Sequence, residues 1–175
     1  MITKDNTSRV MELFFKNPEK KFHLRELERL IGLSMPGIIK IVRRLEREDL
    51  LETKKEGMLK NVSVTKSEKF VNLKRAYNIY SIFLSGLLDF LRIAYEEPEA
   101  IVLFGSYAKG DDVSMSDIDI AIITKKQLSL KLIPFEKGLG RRIRLYEIQR
   151  TKSEKEFLNT LANGVVLYGY LKVLE

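Results

Sequence analysis

Apolar positions in the first third of the chain recur three and four apart, in short blocks separated by Gly, Pro and Asn. Val10, Leu13 and Phe14 predict a helix over Thr7–Lys16, ended by Asn17-Pro18. Lys21–Leu24 reads as a short strand, and Leu24, Leu27, Leu30 and Ile31 predict a second helix stopped by Gly32. Ser34 is the expected N-cap of a third, with Pro36 in its first turn. That helix should run to about Asp49 and bury Ile38, Ile41 or Val42, and Leu45. Leu50–Lys55 and Leu59–Thr65 then read as a Lys-rich hairpin around Glu56-Gly57.

Beyond residue 66 the pattern changes. Residues 70–96 predict one long helix with a wide apolar stripe of Leu73, Tyr77, Tyr80, Phe83 or Leu84, Leu87, Leu91 and Ala94. Ile79, Ile82, Phe90 and Ile93 widen it, as expected of a helix packed on both sides or against a second copy in a homodimer. Pro98 closes that segment. Ala100–Phe104 (AIVLF) and Ile118–Ile123 are apolar runs of strand length. Arg141–Ile148 reads as a later strand, with Lys125, Lys126 and Lys131 in the connection before it. Ser153–Ala162 reads as a helix capped by Gly164, and Val165–Gly169 as a last short strand.

Composition narrows the chemistry. A chain of 175 residues suits one medium domain or two small ones. There is no cysteine and a single histidine, His23, which excludes disulfides, thiolate sites and multi-histidine metal sites. Any metal would be a hard cation on oxygen ligands. The lack of cysteine fits a reducing cytoplasm, the expected location. Residues 1–66 hold 15 Lys/Arg against 10 Asp/Glu, so most of the +7 charge sits there, a bias that permits nucleic-acid binding. The start, MITKDNTSRVMELFF, has no leader pattern. In Ala76–Tyr95, Asp89, Arg92, Asn78, Ser81, Ser85 and Gly86 interrupt the apolar run that a membrane span needs, so no membrane is expected.

The residues between the apolar runs carry the sharpest signal. Gly105 allows a tight turn and close approach of a ligand, and Ser106 opens a short helical turn ended by Gly110. Such a turn can hold phosphate oxygens. Asp117 and Asp119 share one strand face by the period of two, while Ile118, Ile120 and Ile122 take the other. Carboxylates about 6–7 Å apart along a strand repel one another unless a cation lies between them, and Mg2+ with phosphate oxygens suits such a pair. Alone, an Asp-X-Asp at a strand start is commonly a pair of exposed charges.

Two resemblances follow from these motifs. The stretch LRELERLIGLSMPGIIKIVRRLEREDLLETKKEGMLKNVSVT resembles winged helix-turn-helix transcription regulators. That implies double-stranded DNA binding, with Ser34, Met35, Gly37, Lys40, Arg43 and Arg44 toward the major groove and Lys54, Lys55 and Lys60 on the wing. Gly37 and Ile39 depart from the polar residues usual there, which also fits a protein–protein surface.

Residues 101–123 resemble the nucleotidyltransferase signature of the DNA polymerase beta superfamily, and its minimal prokaryotic members most. Gly105, Ser106, Gly110, Ser116, Asp117 and Asp119 fall on it, and Lys109 stands where many members carry Arg. NGVVLYG extends the resemblance to about residue 170. The resemblance implies nucleoside triphosphate bound by Gly105, Ser106, Lys109, Gly110 and Ser116. It also implies two Mg2+ ions on Asp117 and Asp119, and nucleotidyl transfer to an acceptor. A third carboxylate is usual on a later strand, where Glu147 is the only acid. Glu147 is therefore either that ligand or a surface residue paired with Arg144 or Arg150. Arg141, Arg142 and Arg144 would bind triphosphate or simply be solvated. Minimal members often work beside an all-helical partner protein.

The expected class is α+β: a winged helix-turn-helix over 1–66, a connecting or dimerising helix over 67–97, and a nucleotidyltransferase-fold domain over 98–175 with a small mixed sheet flanked by helices. The alternatives to transfer are a regulator whose nucleotidyltransferase fold only binds nucleotide, and an antitoxin-like protein that modifies or masks a partner.

Overall fold

The structure is a computed structural model that describes residues 5–56, 59–149 and 154–172. It divides into two compact units, 1–74 and 75–175. In the first, α1 (Asn6–Lys16), α2 (Leu24–Ile31) and α3 (Met35–Arg47) accompany a three-stranded antiparallel sheet. Its order is β1 (Phe22–His23), β3 (Leu59–Val64), β2 (Leu51–Glu56). Asp5 rather than a later residue caps α1, its carboxylate accepting from the Ser8 N–H at 2.7 Å. Gly32 ends α2 in the left-handed region at φ 74°. Ser34 takes the extended cap conformation before α3, but its hydroxyl makes no cap hydrogen bond, contrary to expectation. Of the alternatives at the third core position of α3, Val42 is buried, alongside Ile38 and Leu45. Phe14 and Phe22 meet edge-on at 5.0 Å in this core. The expected turn residue Gly57 lies outside the described residues, as do Arg150 and Ser153.

The long helix expected over 70–96 is two helices, α4 (Glu68–Leu84) and α5 (Leu87–Ala94). Gly86 breaks it at φ 74°, and the Ser85 hydroxyl donates to the Ile82 carbonyl at 2.7 Å, satisfying a terminal acceptor. The expected stripe is corrected too. Ile82, Leu87 and Leu91 are buried, whereas Leu73, Phe83, Leu84 and Ile93 are exposed. The α4 face buried near the break carries Asn78 as well as Ile82.

The second unit is built on a four-stranded sheet in the order β6 (Ile143–Ile148), β5 (Ile118–Ile123), β4 (Ala100–Phe104), β7 (Val165–Gly169). β4 pairs antiparallel with β5 and β7, and β5 pairs parallel with β6, so the sheet is mixed. A parallel pair needs a crossover, and here it contains α7 (Ile133–Leu139), a helix that the sequence pattern did not predict. α6 (Gly105–Lys109) follows β4, and α8 (Lys155–Ala162) precedes β7. The two sheet faces bury separate cores. Ile101, Leu103, Ile118, Ile120 and Ile122 lie with Leu87 and Leu91 on one; Ala100, Val102, Phe104, Ala121 and Ile123 lie with Leu161 on the other. No helix among the described residues is long and apolar enough to cross a membrane.

Candidate active site

Asp119 is the second residue of β5 and pairs with Phe104, the last of β4, so it stands beside the turn that opens α6. The five residues of β4 are all buried, and this fixes where the chain must turn. Gly105 makes the turn at φ 74°, where a Cβ would lie 2.6 Å from Asp119 Oδ2. Two features therefore demand glycine: a left-handed backbone and a carboxylate against it. Gly110 closes the turn at φ 82°.

Asp117 immediately precedes β5. The Arg144 guanidinium donates to its Oδ2 at 2.6 Å. Asp119 is partly buried and accepts from the Tyr146 hydroxyl at 3.3 Å. Burial pushes the Asp119 carboxyl above the ordinary carboxylate range; the Tyr146 hydroxyl and Arg144 pull it down, and Asp117 adds to the rise. Tyr146 belongs to a cluster with Phe104 and Phe157, whose ring centroids lie 5.2 Å and 6.1 Å from its own. That packing limits the positions its hydroxyl can take.

The expected third ligand does not join this group. Glu147 pairs in register with Ile122, while Asp119 pairs with Arg144. Alternate residues of a strand project to opposite faces, so Glu147 lies across the sheet from Asp119. Its Oε1 accepts from the Tyr95 hydroxyl and from the Leu128 N–H, both at 2.6 Å. Nor does it pair with Arg144. Among the described residues no cluster of three acids or histidines could hold a metal. The donor set that remains, two carboxylates against a glycine backbone, suits Mg2+ shared with phosphate oxygens.

The other expected residues take different places. Ser106 sits half-buried in α6, and Lys109 is exposed in its last turn. The Ser116 hydroxyl accepts from the Val113 N–H at 3.0 Å, bracing the loop before β5. Asp112, in the loop before β5, is buried. Its carboxylate accepts from Asn78 at 2.8 Å and from Arg141 at 3.4 Å, and Asn78 also donates to the Tyr107 carbonyl at 2.9 Å. These three side chains tie α4 to α6 and the loop before β5. Arg144 and Tyr146 carried a readable signal, since both share one parity on β6, opposite that of Glu147.

In the first unit, Ser34, Lys40, Arg43, Arg44, Lys54, Lys55 and Lys60 are exposed, and Met35 and Gly37 are half-exposed. Arg44 is engaged with Glu48 at 3.0 Å and Lys54 with Glu52 at 2.8 Å. Lys55 and Lys60 face each other across the β2–β3 ladder. Met35 and Lys60 line one open cleft with Arg25 and Arg29 of α2, two cations that the sequence reading did not single out.

Residues 91–170 match the family described as Polymerase beta, Nucleotidyltransferase. The match supports the nucleotidyltransferase superfamily for this segment, and with it nucleotidyl transfer in general. It begins within α5 and ends one residue beyond β7, so it takes in the whole four-stranded sheet. No curated protein matches the chain.

Proposed function

We propose that the segment from Pro98 onward binds a nucleoside triphosphate and transfers its nucleoside monophosphate to an acceptor, as a Mg2+-dependent nucleotidyltransferase. The observation that carries this reading is the juxtaposition of Gly105 with Asp119 at the ends of β4 and β5, inside the matched segment. Asp117 and Asp119 would hold the cation, which would neutralise the leaving phosphates. Gly105 leaves room for phosphate against the backbone, the Ser106 hydroxyl donates to it, and Lys109, Gly110 and Ser116 shape the loop around it. In the transfer, the acceptor oxygen bonds to the α-phosphorus and the bridging bond to the β-phosphate breaks. Pyrophosphate leaves and the acceptor's proton passes to water. The chain's main contribution is to hold the carboxylates and phosphates in place before reaction.

Incubation with α-labelled ATP, CTP, GTP or UTP, Mg2+ and cell lysate tests this. Label should reach an acceptor, and Asp117→Asn and Asp119→Asn should each abolish the transfer. A second reading, a regulator that binds nucleotide without transferring it, is favoured by Arg144 on Asp117 and by the engagement of Glu147 elsewhere. Tight nucleotide binding with no label transfer would select it.

We further propose that residues 1–66 form a winged helix-turn-helix that binds double-stranded DNA in the cytoplasm and couples the site to transcription regulation. Residues 67–97 would connect it to the nucleotidyltransferase domain. The exposed cations on α3 and the β2–β3 hairpin support this. Gel-shift affinity for upstream DNA should fall with salt and with Arg43→Ala or Lys40→Ala. Full affinity in both variants would refute the groove assignment.

A further inference from the structure

Arg144 stands where a two-metal site would need an acid. It is the register partner of Asp119 across the parallel β5–β6 pair, so the two project to the same face at the same level of the sheet. Glu147, the one acid of β6, is on the opposite face and held by Tyr95 and Leu128. The Arg144 side chain is 57% exposed and that of Asp117 15% exposed, so the guanidinium reaches the acid from the solvent side. Asp119 meanwhile has a neutral partner in Tyr146. Two carboxylates and one guanidinium leave the site with a single net negative charge. A second divalent cation entering here would meet that guanidinium in place of a third carboxylate and be repelled at close range.

We propose that Arg144 is itself the second cation of this site: it takes the place of one metal ion, and the site accepts a nucleoside triphosphate with a single divalent cation. This rests on the nucleotide-binding reading above and narrows it. A guanidinium anchored to Asp117 still has N–H groups to offer, and its planar fork suits phosphate oxygens. It is also covalently attached, so chelation removes only part of the positive charge that holds a triphosphate.

Mn2+ titration followed by electron paramagnetic resonance tests this with wild type, Arg144→Asp and Arg144→Gln, with and without a non-hydrolysable ATP analogue. Without nucleotide, Arg144→Asp should bind Mn2+ at least about tenfold more tightly than wild type, because a third carboxylate replaces a cation. Arg144→Gln should fall between them, and it keeps the test decisive if the aspartate variant does not fold. With the analogue, wild type should hold one Mn2+ per chain and Arg144→Asp two. Two ions in wild type, or equal Mn2+ affinity in all three proteins, would overturn the proposal. If the analogue binds to none of the proteins, the nucleotide-binding reading fails. Tighter Mn2+ binding by the variants would still support Arg144 as the resident cation, and its absence would remove both.

Discussion

Two aspartate–arginine pairs lie close together in the second unit, and they are built for different ends. Arg141 and Asp112 meet at 3.4 Å with side-chain exposures of 7% and 0%. Arg144 and Asp117 meet at 2.6 Å with exposures of 57% and 15%. The shorter pair is the one open to solvent, so distance alone would misrank them. The buried pair is tied into a network through Asn78 and the Ser114 carbonyl, which accepts from Arg141 at 2.8 Å. Its charges have already lost their water, and each depends on the other. In the open pair the guanidinium keeps much of its water, and anchored to Asp117 it still has N–H groups to offer a phosphate. One pair fixes where the candidate site is, and the other governs what enters it.

The largest effect that would sharpen this contrast is Asp112→Ala. It removes the carboxylate facing a buried guanidinium and one acceptor of the Asn78 amide, and should cost about 3–5 kcal/mol in chemical denaturation. A loss below about 1 kcal/mol would mean that the buried pair is not the structural one. Asn78→Ala should cost less, about 1–3 kcal/mol, since it leaves the Asp112 carboxylate and the Tyr107 carbonyl short of a donor.

Asp119→Asn should act in the opposite direction. Burial raises the Asp119 carboxyl, so the folded chain keeps that proton to higher pH than the unfolded chain does. Stability therefore falls as pH rises from the ordinary carboxylate value of 3.8 through the raised folded value. The asparagine variant should lose that slope and melt slightly higher at neutral pH, by about 1–2 °C, while losing label transfer. A lower melting temperature would show that the carboxylate serves the fold rather than the ligand. The smallest effect belongs to Arg144→Ala, which should leave the melting temperature nearly unchanged because the guanidinium it removes lies in solvent. If it melts as far down as Asp112→Ala, the two pairs do the same work and the contrast fails.

These residues also show what the sequence could and could not disclose. The parity of Asp117 and Asp119 against Ile118, Ile120 and Ile122 was readable because a strand buried on both faces leaves few places for acid. Gly105 was readable because an apolar run must end before the chain can turn. Glu147 was left between two readings for a reason of register. Which residue of β6 stands beside Asp119 depends on a parallel pairing made across a crossover, and a shift of one residue reverses the face. The role of Asp112 was not legible because its partners, Asn78 and Arg141, lie 34 and 29 residues away in the chain. The break at Ser85-Gly86 was visible, yet the apolar stripe on either side hid it. α7 went unread because Pro134, Gly138 and Gly140 gave its segment the look of a loop.

The central claim is that triphosphate binds where β4 and β5 end, between the Gly105 turn and the Asp117–Asp119 pair. A co-crystal structure with a non-hydrolysable nucleoside triphosphate and Mg2+ tests it most directly. Phosphate oxygens on the Gly105–Ser106 backbone, with one cation on Asp117 and Asp119 and Arg144 against the phosphates, is the predicted result. A triphosphate bound at any other place on the chain, with Arg144 still closed on Asp117 and no cation between the two aspartates, would contradict it.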